Sequence, residues 1–247
     1  MKFVAVIPAR YASTRFPGKL MKMLGNKTII RTTYDNVVAS DLFDQVYVVT
    51  DSHEIFDEIA SHNGQVLMSK SQHETGSDRI AEAIENITCD VVVNVQGDEP
   101  FINTEALKLL KESFLKDTKG QISLSTLKIK ITNREEIANP NVVKVVTDVS
   151  DFALYFSRSP IPYLRDQDAN PNYYRHIGVY AFRRQAILKF AKLPMLQNEL
   201  AEKLEQLRYL EHGMRIKVLE TDFVGIGIDV PEDLEKAKQL IQNPNNL

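Results

Sequence analysis

Three short runs, Phe3-Val4-Ala5-Val6-Ile7, Val46-Tyr47-Val48-Val49-Thr50 and Val91-Val92-Val93-Asn94-Val95, are apolar or β-branched at almost every position. A strand with one wet face alternates apolar and polar residues, whereas an unbroken run belongs to a strand covered on both faces, as in a parallel sheet. Stretches with apolar residues at three-to-four spacing lie between and after these runs: Thr28 to Ser40, Ser52 to His62, Ser77 to Asn86 and Thr104 to Leu115. Thr104 stands as an N-cap in front of Ala106-Leu107. Strand, loop and helix in repeated order predict an α/β fold built on a right-handed, doubly wound, mostly parallel sheet of Rossmann-like type.

The second half changes character. Ile122 to Ile129, Val142 to Val146, Phe152 to Phe156 and Tyr173 to Phe182 read as strands rich in aromatic and β-branched residues. Pro160, Pro162, Asp166, Asp168, Asn170 and Pro171 mark a turn-rich connection. Helical patterns resume at Glu199 to His212 and Pro231 to Ile241. No low-complexity linker and no internal repeat separates the halves, so residues 1–247 read as one domain carrying an inserted, mixed α/β region.

Composition excludes several classes. With 43% hydrophobic and 26% charged residues the chain can build a full core. The net charge of -3 supplies no general basic field for nucleic acid, so any anion site has to be local. Cys89 is the lone cysteine, which rules out an intramolecular disulfide and a cysteine metal cluster and fits a reducing compartment. No run has the length of a membrane span or a signal-peptide core, so a cytoplasmic protein is expected.

In an open α/β sheet ligands bind outside the carboxyl ends of the strands, and the unusual residues of this chain fall there. Pro8 to Lys19, "PARYASTRFPGK", follows the first strand, Thr50-Asp51 the second, and Gln96-Gly97-Asp98-Glu99-Pro100 the Val91 run. A bound triphosphate needs backbone amides, fixed cations and a carboxylate for its metal. Arg10, Arg15, Lys19 and Asp98 meet that need, although a solvated turn accounts for Arg15 as well. Neither G-x-x-x-x-G-K-[ST] nor G-x-G-x-x-G is present, so the cations have to do the phosphate work.

Eight blocks in order, "IPARYASTRFPGK", "HETGSDRIAEA", "VVNVQGDEPFI", "NPNVVKVV", "ALYFSRSPIPY", "RHIGVYAF", "LEQLRYLEHG" and "GIDVPEDLEKA", resemble the 3-deoxy-manno-octulosonate (Kdo) cytidylyltransferases. The resemblance implies a nucleotidyltransferase fold with a dimerisation region, and transfer of CMP from CTP to the anomeric hydroxyl of Kdo with release of pyrophosphate. It implies Mg²⁺ on Asp98 and Asp229, two carboxylates suited to that hard ion. Asp229 also suits a helix cap before Pro231. Arg10 and Lys19 would serve the leaving phosphates, with Ala9 and Arg15 beside them, and Thr75, Ser77 and Arg79 would read the base. Ser77 reads equally as a helix cap.

For the acid sugar the resemblance implies Gln96, Arg158, Arg165, His176, Tyr180, Glu205 and Gln206. Taken by itself, His176 is a satisfied core histidine, and Glu205 and Gln206 are a solvated helix face. A related sugar acid, such as an amino-substituted Kdo or a neuraminate, is the alternative acceptor. A nucleotide binder without catalysis would have no need of Arg10, Lys19, Asp98 and Asp229 together. The aromatic second half leads to the expectation of a homodimer.

Overall fold

The computed structural model of the chain describes residues 1–13, 15–69, 73, 76–166, 168–223, 225 and 227–242. Its contacts divide into two units, Met1–Leu107 with Gly225 onward, and Lys108–Val224.

The first unit runs through β1 (Phe3–Ala9), a short hairpin of β2 (Met23–Leu24) and β3 (Lys27–Thr28), and α1 (Ile29–Ala39). It continues with β4 (Gln45–Thr50), α2 (His53–Ala60), β5 (Val66–Met68), α3 (Gly76–Ile84), β6 (Val91–Asn94) and the start of α4 (Thr104–Lys116). The strands β6-β1-β4-β5 lie side by side and parallel, with Ala5 opposite both Val46 and Val93. Residues Phe3 to Ile7 are at most 1% exposed, which is why their run shows no alternation. Because β4 lies on one side of β1 and β6 on the other, the loops leaving β1 and β6 diverge and open a crevice at their carboxyl ends.

Local sequence explains the helix starts. Thr28 and Ser52 cap α1 and α2 by accepting from the Arg31 and Ile55 amides, each worth about 1 kcal/mol. Thr104 is not the cap of α4; Asn103 Oδ1 accepts from the Ala106 amide at 3.0 Å, and asparagine one residue earlier takes the role. The loop after β6 is fastened to α1, where Thr33 Oγ1 donates to the Gly97 carbonyl at 3.0 Å and Asn36 Nδ2 to that of Pro100 at 2.6 Å. A Cβ on Gly97 would stand 3.2 Å from the Pro8 carbonyl oxygen, so glycine lets this loop lie against the end of β1.

The second unit comprises β7 (Leu124–Lys130), α5 (Glu135–Ala138), β8 (Lys144–Thr147), β9 (Ala153–Ser157) and β10 (Tyr174–Arg183). After them come α6 (Arg184–Phe190), α7 (Gln197–Glu202), α8 (Gln206–Glu211) and β11 (Ile216–Glu220). β11 is parallel to β7, whereas β10 is antiparallel to β7 and β8, and β8 to β9, so this region is mixed as expected. Rings of Phe156, His176, Tyr180, Phe182, Tyr209 and Phe190 follow one another with centroids 4.4 to 5.9 Å apart and form the spine of its core.

The expected helix Glu199 to His212 is two helices, because Lys203 adopts the left-handed conformation at φ 53° and ends α7. The sequence reading also missed β5, α6 and β11, all short, with only three residues in β5. The helix Pro231–Gln242 completes the first unit.

Candidate active site

The loop after β1 turns back on itself at Gly18, which sits at φ +64° with the Tyr11 ring 3.3 Å from where a Cβ would stand. That reversal starts a short 3₁₀ turn at Lys19. Lys19 Nζ lies 2.5 Å from Asp98 Oδ2 and 3.0 Å from Asp229 Oδ1, and Arg15 Nη1 lies 2.5 Å from Asp229 Oδ2. Burial alone would push the Lys19 ammonium down; the hydrogen bonds and charges of Asp98 and then Asp229 outweigh it and hold the group above the ordinary lysine value. Arg10, Ser13, Arg15, Lys19, Gln96, Asp98 and Asp229 line one cavity of about 160 Å³. Ala9 is buried at the end of β1, between the lining residues Pro8 and Arg10, and does not itself line the cavity.

Asp98 and Asp229 come together through the backbone, since the Ile228 amide donates to the Asp98 carbonyl at 2.9 Å. Asp229 is not the cap of the last helix. Val230 precedes the helix start at Pro231, and from inside the first turn Asp233 Oδ2 reaches back to accept from the amides of Asp229 and Val230 at 3.1 and 3.2 Å, while the Asp229 carboxylate faces the cations. Glu99, beside Asp98, was not singled out from the sequence. Its Oε2 is buried with no partner among the described residues, and burial, then the charge of Asp98, push its carboxyl up to about 7.

Of the expected base-reading loop, Thr75 lies outside the described residues. Ser77 is buried as the second residue of α3, so it does not cap that helix. Arg79 is buried too; its Nη2 donates to Asp51 Oδ2 at 2.7 Å, while Nη1 is buried with no partner among the described residues. Asp51 was legible only as an acid directly behind a buried strand, with nothing to single it out as the anchor of Arg79.

The other acceptor-sugar candidates lie in the second unit. His176 is half-buried, its Nε2 3.0 Å from Thr126 Oγ1 and its ring edge-on to Phe156; burial pushes its pKa down to about 3. The neighbouring Tyr180 hydroxyl is pushed up by burial and then by the charge of Glu205, which brings Glu205 into the same surroundings. Gln206 is buried and opens α8, and Arg165 is exposed. Arg158 directs its guanidinium at main-chain carbonyls, Nε to Glu202 at 2.7 Å and Nη1 to Pro140 at 3.0 Å.

The chain is similar to known proteins over most of its length. A family profile described as Cytidylyltransferase matches residues 4–216. A 3-deoxy-manno-octulosonate cytidylyltransferase of Flavobacterium johnsoniae is 59% identical over 243 residues, covering 98% of this chain and all of the relative. One from Christiangramia forsetii is 57% identical over 240 residues, covering 97% of each. The solved structure of a CMP:2-keto-3-deoxy-manno-octonic acid synthetase complexed with CTP superposes with a TM-score of 0.93 at 36% identity, over 99% of this chain and 100% of that one. A 4-diphosphocytidyl-2C-methyl-D-erythritol synthase from Anaerococcus prevotii, 18% identical with a TM-score of 0.64 over 98% and 99% of the two chains, shares the fold. Matched along its length in both sequence and fold, the chain belongs to the 3-deoxy-manno-octulosonate cytidylyltransferase family.

Proposed function

We propose that this enzyme transfers CMP from CTP to the anomeric hydroxyl of 3-deoxy-manno-octulosonate, giving CMP-Kdo and pyrophosphate for lipopolysaccharide synthesis. The observation that carries the reading is the convergence of Asp98, Asp229 and Lys19 at the mouth of a cavity lined by two further cations, Arg10 and Arg15. In the reaction the hydroxyl oxygen bonds to the α-phosphorus, the bond to the bridging oxygen breaks, and the hydroxyl proton leaves to solvent. Negative charge grows on the leaving pyrophosphate. Arg10, Arg15 and Lys19 are the groups we assign to it, Arg as a planar fork and Lys as a point charge, with positioning and electrostatics supplying most of the acceleration. Lys19, which Asp98 and Asp229 hold above the ordinary lysine value, is an ammonium for this role.

The site suits Mg²⁺ by its donor chemistry. Asp98 and Asp229 already share one cation, the Lys19 ammonium, and two carboxylates are the hard oxygen donors that this ion takes beside water and phosphate. These two residues would hold it, and when bound it supplies a Lewis-acid charge at the phosphate oxygens.

For the nucleotide we assign Ala9 and the loop of Thr75, Ser77 and Arg79, with the orphaned Arg79 Nη1 as the donor for a pyrimidine carbonyl, a group otherwise costly to leave buried. For the acceptor the family resemblance nominates Gln96, Arg158, Arg165, His176, Tyr180, Glu205 and Gln206, although Arg158 directs its guanidinium at main-chain carbonyls. Cytoplasmic location accords with the CTP requirement and with Cys89, which needs no oxidising compartment. No helix among the described residues is long and apolar enough to cross a membrane.

The decisive assay is pyrophosphate release from CTP and Mg²⁺ against a panel of acidic sugars. Turnover is expected to be greatest with 3-deoxy-manno-octulosonate. Faster turnover with a neuraminate or an amino-substituted analogue would reassign the acceptor, and release with none of them would overturn the reading.

A further inference from the structure

Lys144, the first residue of β8, has no exposed surface, yet all three of its ammonium protons find acceptors. Nζ donates to the carbonyls of Arg158 at 2.5 Å, Val142 at 2.6 Å and Asn139 at 2.9 Å. Arg158 extends the same pattern: Nε reaches the Glu202 carbonyl at 2.7 Å, Nη1 that of Pro140 at 3.0 Å, and Nη2 that of Lys203 at 3.5 Å. The Glu202 carboxylate closes the cluster by accepting from Ser157 Oγ at 2.6 Å and the Arg158 amide at 2.9 Å.

Two cations and one carboxylate thus fasten three separate stretches, 139–142, 157–158 and 202–203, almost wholly through main-chain groups. Burying a charge such as that of Lys144 stabilises a fold little compared with an apolar side chain of the same size, so what the cluster supplies is geometry. The geometry it controls is a corner. Lys203 turns left-handed directly after Glu202, and Glu205 and Gln206 open α8 immediately beyond.

We infer that Lys144 and Arg158 are positioning residues for the acceptor sugar, Arg158 holding the Glu202 and Lys203 carbonyls at the start of the corner and Lys144 holding the Arg158 carbonyl, so that Glu205 and Gln206 present their polar ends in fixed places. The inference rests on the reading of those two side chains as sugar contacts. It also gives Arg158 a different task from pairing with the sugar carboxylate, which leaves Arg165 as the cation for that group.

The test uses the full-length enzyme with CTP, Mg²⁺ and 3-deoxy-manno-octulosonate, measuring KM for each substrate, kcat and thermal stability for Glu205→Gln, Arg158→Lys, Lys144→Met and the double variant Glu205→Gln/Arg158→Lys. Arg158→Lys keeps the charge and loses the fork. It is expected to raise the acceptor KM about tenfold, the scale of a small misplacement of a contact, while KM for CTP stays within about twofold. Lys144→Met is expected to do the same, and if it does not fold, Arg158→Lys carries the test alone. Because Arg158 acts through the corner, the double variant should be no more than about twofold worse than the worse single one. A rise in acceptor KM with Glu205→Gln but none with Arg158→Lys overturns the inference and leaves the sugar reading intact. Effects that multiply in the double variant would mark Arg158 as an independent sugar contact, which overturns it too. No effect of Glu205→Gln removes the sugar reading of the corner, and the inference with it.

Discussion

Lys19 Nζ stands 2.5 Å from Asp98 Oδ2, so the cation assigned to the leaving phosphates and a carboxylate assigned to the metal touch one another before any substrate is bound. Replacing Asp98 by Asn keeps its size and removes its charge. Lys19 retains Asp229 at 3.0 Å, so the fold should survive. We expect kcat to fall at least about a hundredfold, the scale of losing one strong electrostatic contact in a transition state, with CTP affinity changed only a few fold. Asp229→Asn should behave alike, and the double variant should be far less than multiplicatively worse, since the two act as a unit. Steady-state kinetics at saturating CTP and Mg²⁺ decide it; near-normal turnover by Asp98→Asn would move the metal elsewhere.

The same contact makes Lys19 a competitor for the site it borders. With its ammonium neutralising both carboxylates, a divalent ion entering without nucleotide has to displace it. Lys19→Met should therefore bind Mn²⁺ alone at least about tenfold more tightly than the unaltered enzyme, and CTP more weakly. Arg15→Met removes an equal charge, but from a side chain 70% exposed, and should do much less. Equal Mn²⁺ affinities in titration calorimetry for all three proteins would count against the competition.

Base choice is expected to depend on Arg79. Its Asp51 partner holds one side of the guanidinium at 2.7 Å, and Nη1 remains for a ligand. Turnover with CTP should exceed that with ATP or GTP by orders of magnitude, with UTP the stronger competitor, and Arg79→Lys should raise KM for CTP about tenfold or more. Equal turnover with a purine triphosphate would reject this assignment.

Much of this architecture is legible in the amino-acid sequence, for a physical reason. Strands buried on both faces need unbroken apolar runs, so β1, β4 and β6 announce themselves, as do α1 and α2 behind Thr28 and Ser52. The three-residue β5 carries no period to detect, and the break at Lys203 depends on a left-handed lysine that no residue preference foretells. Within the site, the cations clustered behind a buried strand, Arg10, Arg15 and Lys19, line one cavity. The pairing of Asp98 with Asp229 depends on a long-range backbone contact, from the Ile228 amide to the Asp98 carbonyl, which no local pattern reports. Asp51 draws its role from the buried Arg79 beside it and Glu99 its character from burial, which composition does not report.

Aromatic richness between Tyr155 and Tyr180 led to the expectation of a homodimer, yet Phe156 and Tyr180 are absorbed by the ring spine of the second unit. Tyr155, Tyr173 and Tyr174 stand outside that spine half-buried, and Tyr163 is 84% exposed, with Leu154 at 61%. A two-fold dimer is still the expected state, and light scattering at micromolar concentration should give twice the chain mass. Tyr163→Asp and Leu154→Asp together should shift it toward monomer without lowering the thermal midpoint of the monomer. A monomer mass for the unaltered chain would reject the expectation.

His176 should write its burial into the pH dependence of stability. In the folded chain its pKa is pushed down to about 3, while the unfolded chain takes up the proton near 6.5. The unfolded state therefore binds more protons between these values, and stability falls as pH falls from 6.5 toward 3, by up to about 2 kcal/mol at pH 5. Glu99 acts in the opposite sense. Its folded carboxyl is raised to about 7 against 4.5, so it adds stability below 4.5 and loses it as pH rises toward 7. The two overlap, and the measurement has to be a difference. His176→Gln removes one term and leaves Glu99 in place. It should be the less stable protein at pH 7.5, where the ring's contact to Thr126 and its packing on Phe156 are lost. By pH 5 the gap to the unaltered chain should shrink by up to about 2 kcal/mol in urea denaturation. Asp117 does not disturb the window: against its partial burial, the amides of Ile122 and Gln121 and the Arg183 guanidinium hold it below the usual carboxylate range, so its contribution is lost only in stronger acid. A gap constant from pH 7.5 to 5 would mean that the ring can be protonated in place, through water reaching it between Thr126 and Tyr180.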